Sequence, residues 1–151
     1  MNKIFTLQEI ADWQLNSEQS KVELPSIQRG FVWKPKQIED LWDSLLRGYP
    51  IGSFLFSRTG EKLYLMDGQQ RATSIFLGYF NPFKTNHSTK AWTIKGELPV
   101  IWIDILPDAK PNSSQYLTRI ITRSHPWGYQ ANNNDTRLSI SNRNKALSLF
   151  R

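Results

Sequence analysis

The feature that most constrains the fold is a change of pattern within residues 63–79, where an apolar segment passes directly into a segment of helical periodicity. The apolar segment, Leu63 to Met66, is short, partly branched or aromatic, and typical of a strand. Asp67-Gly68 closes it. The apolar residues that follow recur at i, i+3, i+4 and i+7, the spacing of one buried helical face: Ala72, Ile75, Phe76 and Tyr79. The sequence therefore predicts a strand that leads into a helix beginning at Gly68.

The first turn of this predicted helix carries groups that suit an anion. A helix leaves its first backbone N–H groups unpaired and presents the positive end of its dipole there. Gly68 lets a ligand approach the backbone, Gln69 and Gln70 add amide donors, and Arg71 supplies a bidentate cation. Phosphate is the anion that these groups suit best. The same residues also fit a simpler structure, in which Asp67 caps the helix and the rest is a solvated first turn.

A second candidate cluster, residues 24–33, lies in an extended connection before the clearest predicted helix. Phe31 and Trp33 alternate there as anchors to a core, and Arg29 follows Gln28. Arg29 would supply a second cation to a phosphate-bearing ligand. Alternatively, the two aromatic residues are ordinary core and Arg29 pairs with an acidic residue at the surface.

The excess positive charge is confined to the last part of the chain. Of 19 Lys and Arg residues, seven lie in residues 110–151 against Asp135 alone, and the remaining 12 balance the other 12 acidic residues. A basic segment of this kind can follow a nucleic-acid backbone, with Arg119, Arg123 and His125 as candidate DNA contacts. This is the alternative function: a non-catalytic DNA-binding module. More commonly, such a segment is a solvated face or pairs with acidic surface elsewhere.

Composition excludes several classes of site. With 151 residues, 39% hydrophobic and 13% aromatic, the chain can bury a substantial core. It has no cysteine, which excludes disulfides, zinc–thiolate centres and cysteine nucleophiles. The sequence also lacks the P-loop, the dinucleotide-binding fingerprint and the nucleophile elbow. No apolar run approaches the roughly 18–20 residues that span a bilayer, so we expect a cytoplasmic protein with no membrane partner.

Strand and helix patterns alternate irregularly and include hairpin-like pairs, which favours a mixed α+β fold over a doubly wound sheet. Predicted strands cover residues 3–5, 21–24, 53–57, 62–66, 98–104 and 116–122. Predicted helices follow a capping box of Thr6 and Glu9, begin at Pro35 and Gly68, and cover residues 138–151. The last helix reaches the end of the chain without a cap. We therefore expect residues 1–151 to be a single domain taken from a longer protein.

Three motifs occur in order across residues 24–73, and their combination resembles the N-terminal domain of GmrSD-type, modification-dependent restriction proteins and their bacterial anti-phage relatives. A segment at residues 125–128, His-Pro-Trp-Gly, is similar to a later element of these proteins. The three motifs are Pro25-x-x-Gln28-Arg29-x-Phe31-x-Trp33-x-x-x-Gln37, Leu41-x-Asp43-Ser44-Leu45-x-x-Gly48-x-Pro50-Ile51-Gly52, and Asp67-Gly68-Gln69-Gln70-Arg71-x-Thr73.

The resemblance implies a ParB/sulfiredoxin-like α+β fold, a mixed sheet with flanking helices. It also implies that the domain binds and hydrolyses a nucleoside triphosphate together with Mg²⁺. In the family this activity is coupled to an HNH-type nuclease domain that acts on modified phage DNA. Here that nuclease would follow Arg151 in a longer protein or lie on a separate chain.

When the family's motifs are carried over position by position, the resemblance implies a nucleotide pocket. Its residues would be Gln28, Arg29, Gly68, Gln69, Gln70, Arg71 and Thr73. Asp67 and Arg71 would be the catalytic residues. Asp67 would hold Mg²⁺ or orient the attacking water, and Arg71 would neutralise charge on the leaving phosphates. The predicted function is thus a nucleotide-binding, NTP-hydrolysing regulatory domain of a bacterial anti-phage DNA restriction system.

Overall fold

The computed structural model describes residues 3–15, 19–81, 92, 94, 98–103 and 118–121, with residues 119 and 121 described by backbone alone. The chain divides into two compact units. The first unit comprises Met1–Val32 and Gly52–Lys95, and the second comprises Trp33–Ile51 and Gly96–Arg151. In chain order the elements are α1 (Leu7–Leu15), β1 (Val22–Glu23), α2 (Pro35–Leu46), β2 (Leu55–Thr59), β3 (Lys62–Asp67), α3 (Gln69–Tyr79), β4 (Val100–Ile103) and β5 (Thr118–Ile121).

The first unit is built on a mixed three-stranded sheet in the order β1-β3-β2. β3 lies in the centre, parallel to β1 and antiparallel to β2. Helices α1 and α3 pack against each other. Within the described residues there are three helices and this mixed sheet, so the α+β prediction is confirmed. None of these helices combines the length and the apolar character that a membrane-spanning segment needs.

Helix α3 forms the centre of the first unit's core. Ala72, Ile75 and Phe76 are all fully buried, and Leu65 of β3 is equally inaccessible. Tyr79 is an exception to the predicted stripe, because 37% of it is exposed. The prediction of burial at that position was wrong: the helix emerges from the core over its last turn, after Leu77.

A buried glutamine fixes α1 against α3. Gln14 is fully buried, and its Nε2 donates to Thr73 Oγ1 at 3.4 Å. Its Oε1 accepts the backbone N–H of Trp92 at 2.7 Å. A buried amide must find its partners, because an unsatisfied one costs on the order of 1–3 kcal/mol. The bond to Thr73 therefore favours one register of α1 on α3, and the bond to Trp92 ties α1 to a later part of the chain.

Several strand boundaries differ from the sequence-based expectation, and two of the differences have a visible structural cause. The predicted strand over residues 3–5 lies outside regular secondary structure. Phe5 instead packs its ring against Trp13 and Phe56, at centroid distances of 5.3 and 5.5 Å, so its apolar character reflects side-chain packing rather than strand pairing. β2 begins at Leu55, two residues after the predicted start, because the Ser53 carbonyl accepts a side-chain hydrogen bond from α3 instead of a ladder bond.

The second unit contains the helix with the clearest periodicity and a two-stranded antiparallel pair, β4 and β5. α2 begins at Pro35 as predicted and packs against β5. Ile38, Leu41 and Trp42 form its buried face. Gly48 follows the helix with φ of 72°, a left-handed conformation that ends it as expected. The predicted helix over residues 138–151 lies outside the described residues.

The capping box of α1 gives a prediction about pH. The backbone N–H of Thr6 donates to Glu9 Oε2 at 2.7 Å and its hydroxyl donates to the same oxygen at 3.0 Å. These bonds, the backbone one first, hold the pKa of the Glu9 carboxyl below its ordinary value of 4.5. The carboxylate therefore stabilises the fold above that ordinary value, and this contribution is lost as the pH falls through the lowered folded value.

Glu9→Gln is expected to lower the free energy of unfolding at neutral pH, with a difference from the unaltered protein that shrinks towards about pH 3. Urea unfolding at both pH values measures this difference. Glu61→Gln is the control, because Glu61 is 91% exposed and its ion pair with Lys21 spans 3.9 Å. A Glu9→Gln effect that is the same at both pH values would contradict the capping role of the carboxylate.

Candidate functional site

The predicted junction between strand and helix is present. β3 ends at Asp67, Gly68 is the N-cap, and α3 begins at Gln69. Gly68 has φ of 101°, a left-handed conformation that L side chains rarely adopt. This conformation turns the chain from strand to helix within a single residue. The first turn of α3 therefore starts immediately at the end of the central strand.

The Arg71 side chain lies in a seat formed by Gly52, Ser53, Phe54 and Gly68, which we call the Arg71 seat. Its Nη2 donates to the Ser53 carbonyl at 2.6 Å and lies 3.4 Å from Asp67 Oδ2. The guanidinium carbon is 5.5 Å from the centre of the Phe54 ring. The Arg71 side chain is only 22% exposed, whereas that of Asp67 is 75% exposed. The cation is thus fixed in place and the carboxylate remains accessible.

Two glycines make room for this arrangement. A Cβ added to Gly52 would lie 2.8 Å from Arg71 Nη1, and Gly52 also has φ of 84°. A Cβ added to Gly68 would lie 2.4 Å from Phe54 Cδ1 and 3.3 Å from Arg71 Nη2. Side chains at either position would push Arg71 or Phe54 from the seat. Both glycines are therefore required by the position of the arginine as well as by backbone conformation.

One donor of the seated arginine remains unused. Arg71 Nε is buried and has no hydrogen-bond partner among the residues that the structure describes. A buried donor without an acceptor costs on the order of 1–3 kcal/mol. The Arg71 seat therefore leaves part of the hydrogen-bonding capacity of the guanidinium unused.

The two glutamines of the junction contact a loop from earlier in the chain, residues 28–32, which we call the Arg29 loop. Gln69 Nε2 donates to the Arg29 carbonyl at 2.9 Å. Gln70 Nε2 donates to the Gly30 carbonyl at 3.1 Å, and its Oε1 accepts the Val32 N–H at 2.9 Å. These bonds bring the first and third sequence motifs together.

The remaining nucleotide-pocket candidates occupy different positions. Arg29 is exposed, and its side chain forms no hydrogen bond or ion pair with any other described residue. Gln28 is half-buried, with Nε2 at 3.5 Å from the Met66 carbonyl. Thr73 is fully buried and contacts Gln14 of α1, so it belongs to the core and not to the surface formed by the other candidates.

Of the predicted metal and DNA contacts, the structure describes only the side chain of Asp67. In the part of the chain that the structure describes, no three His, Asp or Glu residues are grouped as a metal site, so Asp67 would offer a single carboxylate. Arg119 lies in β5, where only its backbone is described. Arg123 and His125 lie outside the described residues. The DNA-binding role of all three stays a prediction.

An open cavity of about 600 Å³ lies elsewhere in the first unit. Phe5 and Trp13 line it together with charged side chains of both signs, including Lys21, Arg58 and Glu61. None of the predicted site residues borders it. Its mixed lining does not favour an anion, in contrast to the Arg71 seat.

Sequence reasoning did not identify Ser53 and Phe54 as parts of the site, and it assigned no role to Gly52. A carbonyl acceptor such as that of Ser53 leaves no mark in the sequence. Gly52 did leave a signal, because a glycine directly after a Pro-Ile pair and before an apolar strand indicates a special backbone conformation.

The described geometry defines an α+β domain in which a strand-to-helix junction seats an arginine next to an exposed carboxylate. The chain matches the family described as GmrSD restriction endonuclease, N-terminal domain, over residues 10–151. It belongs to this family, and the predicted resemblance is confirmed.

Two further comparisons add little to this assignment. The chain is 33% identical over 100 residues to an uncharacterised protein of Methanocaldococcus jannaschii. That match covers 49% of this chain and 17% of the archaeal protein, so the chain corresponds to a small part of that relative's length. No solved structure matches the chain, and the ParB/sulfiredoxin-like assignment of the fold stays a prediction.

Proposed function

We propose that this domain binds a nucleoside triphosphate at the junction of β3 and α3, hydrolyses it, and so regulates a DNA-cleaving restriction enzyme that acts against phage. Membership of the GmrSD family supports the connection to DNA restriction. The nuclease itself would be an HNH-type domain, either later in the same protein or on a separate chain. Binding or hydrolysis of the nucleotide would control whether that nuclease cuts DNA.

The observation that carries the proposal is Arg71, which its seat holds in place while 22% of its side chain stays exposed. Charge-assisted hydrogen bonds from a guanidinium to phosphate are about twice as strong as neutral ones. A guanidinium fixed by Ser53 and Phe54 has lost much of its rotamer freedom before the ligand arrives. Ordering therefore costs less on binding, which favours affinity. The dipole at the start of α3 adds to the attraction for an anion.

The other residues have distinct roles in this proposal. Arg29, exposed on the Arg29 loop, provides a second cation for the phosphates. Asp67 orients the attacking water or helps to hold Mg²⁺. One carboxylate together with phosphate oxygens is the way in which proteins ordinarily bind Mg²⁺ with a nucleotide, so the single carboxylate of Asp67 fits. When bound, the ion would neutralise phosphate charge.

The test is calorimetric titration of the chain with ATP, GTP, CTP and UTP, each with Mg²⁺. Arg71→Ala is expected to weaken the affinity about 10- to 150-fold, the equivalent of one charge-assisted interaction of roughly 1.5–3 kcal/mol. Asp67→Ala should retain nucleotide binding but lose hydrolysis, measured as phosphate release. Hydrolysis that survives in Asp67→Ala would remove its catalytic role.

The second unit offers a matched control for Arg71→Ala. Asp43 and Arg47 are also an Asp–Arg pair four residues apart, at 3.0 Å, with the arginine side chain 25% exposed. Arg47→Ala should leave nucleotide affinity unchanged because this pair does not lie at the junction. Equal losses in the two variants would indicate a general effect on stability. Absence of binding by all four nucleotides would refute the proposal and favour the DNA-binding alternative.

A further inference from the structure

We propose that Gln69 and Gln70 are positioning residues, which act on the bound nucleotide through the Arg29 loop without contacting it. Their amides hold the backbone of this loop so that Arg29 faces the same ligand as Arg71. The inference rests on the proposed function, because it concerns how that site is assembled. It assigns to the glutamine pair a role different from the direct contact that the motif alone suggests.

The first line of support is the burial and bonding of the two amides. Gln69 and Gln70 are only 6% and 7% exposed. Both ends of the Gln70 amide are bonded to loop backbone, to Gly30 and to Val32, at 3.1 and 2.9 Å. A phosphate that took the place of the loop at this amide would have to break these bonds. A buried donor or acceptor left behind in the loop would then cost on the order of 1–3 kcal/mol.

The second line of support is the nature of the loop. Residues 28–32 lie outside every helix and strand, so no ladder or helical bond fixes their backbone. Three of its polar groups, the carbonyls of Arg29 and Gly30 and the N–H of Val32, are bonded to the two glutamines. The glutamines thus substitute for the regular hydrogen bonding that the loop lacks.

The third line of support is the charge that the loop carries. Arg29 is its one ionisable residue, and its side chain is exposed. Its own carbonyl is one of the groups that Gln69 holds. Anchoring the backbone of a long, flexible cation removes part of the ordering cost that binding would otherwise incur. The glutamines should therefore matter for affinity only while Arg29 is present.

A double-mutant cycle tests this dependence by calorimetry with Mg²⁺–ATP, Mg²⁺–GTP, Mg²⁺–CTP and Mg²⁺–UTP. The proteins are the full chain, Gln70→Ala, Arg29→Ala and the double variant. We expect each single variant to bind about tenfold more weakly, and the double variant to bind no more weakly than Arg29→Ala. Losses that multiply to about a hundredfold would mean that Gln70 acts independently of Arg29, and would overturn the inference.

Two further variants keep the test decisive should Gln70→Ala unfold. Gln69→Ala removes a single loop bond, so its smaller loss of affinity should also vanish in the Arg29→Ala background. Gln8→Ala is the control, because Gln8 is an exposed glutamine of α1 that bonds to Asp12. It should bind nucleotide as the unaltered chain does.

Hydrogen exchange at the Val32 amide provides a readout that needs no ligand. This amide should be protected in the unaltered chain and in Arg29→Ala, and should exchange freely in Gln70→Ala. Protection that persists in Gln70→Ala would overturn the anchoring role. If the unaltered chain binds none of the four nucleotides, the proposed function and this inference both fail. If it binds, and the losses of affinity in Gln70→Ala and Arg29→Ala multiply in the double variant, only the inference fails.

Discussion

Gly68→Ala is expected to lower the free energy of unfolding by about 2–5 kcal/mol. Two physical effects add in this estimate. A left-handed conformation costs a residue with a side chain roughly 1–2 kcal/mol, and the backbone here has φ of 101°. Overpacking costs a further 1–3 kcal/mol or so, because the new Cβ would lie 2.4 Å from Phe54 Cδ1. Displacing Phe54 also disturbs the Arg71 seat, so nucleotide affinity should fall as well.

Gly60→Ala separates the two effects. Gly60 also has a positive φ, 62°, but a Cβ there would meet nothing within 4 Å. Its substitution should therefore cost only the strain of about 1–2 kcal/mol. Denaturant unfolding of the unaltered chain, Gly60→Ala and Gly68→Ala measures the loss of unfolding free energy in each variant. Similar losses for Gly60→Ala and Gly68→Ala would show that the contact with Phe54 is easily relieved, contrary to the close packing described for the seat.

Phe76→Ala is expected to destabilise the fold by about 3–5 kcal/mol, the usual cost of truncating a large aromatic residue in a core. Phe76 is fully buried and lies on α3 together with Ile75, which is equally inaccessible. The surrounding helices and sheet can close only part of the space that the ring leaves. Because the total stability of a domain is typically about 5–15 kcal/mol, this single change removes a large part of it.

Tyr79→Ala is the matched control for this prediction. It removes an aromatic side chain from the same helix, but one that is 37% exposed. Its truncation should cost much less, and thermal unfolding monitored by circular dichroism would compare the two variants directly. A Tyr79→Ala loss as large as that of Phe76→Ala would contradict the burial described for α3.

The elements that could be predicted from the sequence are those whose signals are local. The start of α2 at Pro35, the glycine that follows its C-cap, Gly48, and the junction at Gly68 each depend on a few neighbouring residues. Proline, glycine and capping residues restrict the backbone directly, so their positions are informative without tertiary structure. The capping box of Thr6 and Glu9 was predicted for the same reason, and both of its backbone bonds are present.

The features that could not be predicted depend on residues far apart in the chain. Gln69 and Gln70 bond to residues 38 to 40 positions earlier, which no local pattern reveals. The predicted strand over residues 3–5 failed because the apolar Phe5 is held by aromatic contacts from α1 and β2. The first turn of α3 was expected to offer its amide groups to a ligand. In the structure the side-chain amides of Gln69 and Gln70 bind the Arg29 loop.

The family resemblance added what the residues alone could not indicate. Spacing and residue type predicted an anion site, but not a nucleotide in particular. Membership of the GmrSD family is now established over residues 10–151, and it is the basis of the proposed connection to DNA restriction. The nucleotide, the magnesium ion and the nuclease partner remain proposals that the experiments above test separately.

The hydrogen bonds that α3 makes to Val32 and Ser53 have a mechanical consequence. The chain leaves this unit after Val32 and re-enters it at Gly52. Gln70 holds Val32 at the exit, and the neighbouring Arg71 holds Ser53 just after the return. Tension applied anywhere in residues 33–51 would therefore load these two side chains before it reached the apolar core. In a force measurement, the turn that carries Arg71 would be the first part of the unit to yield.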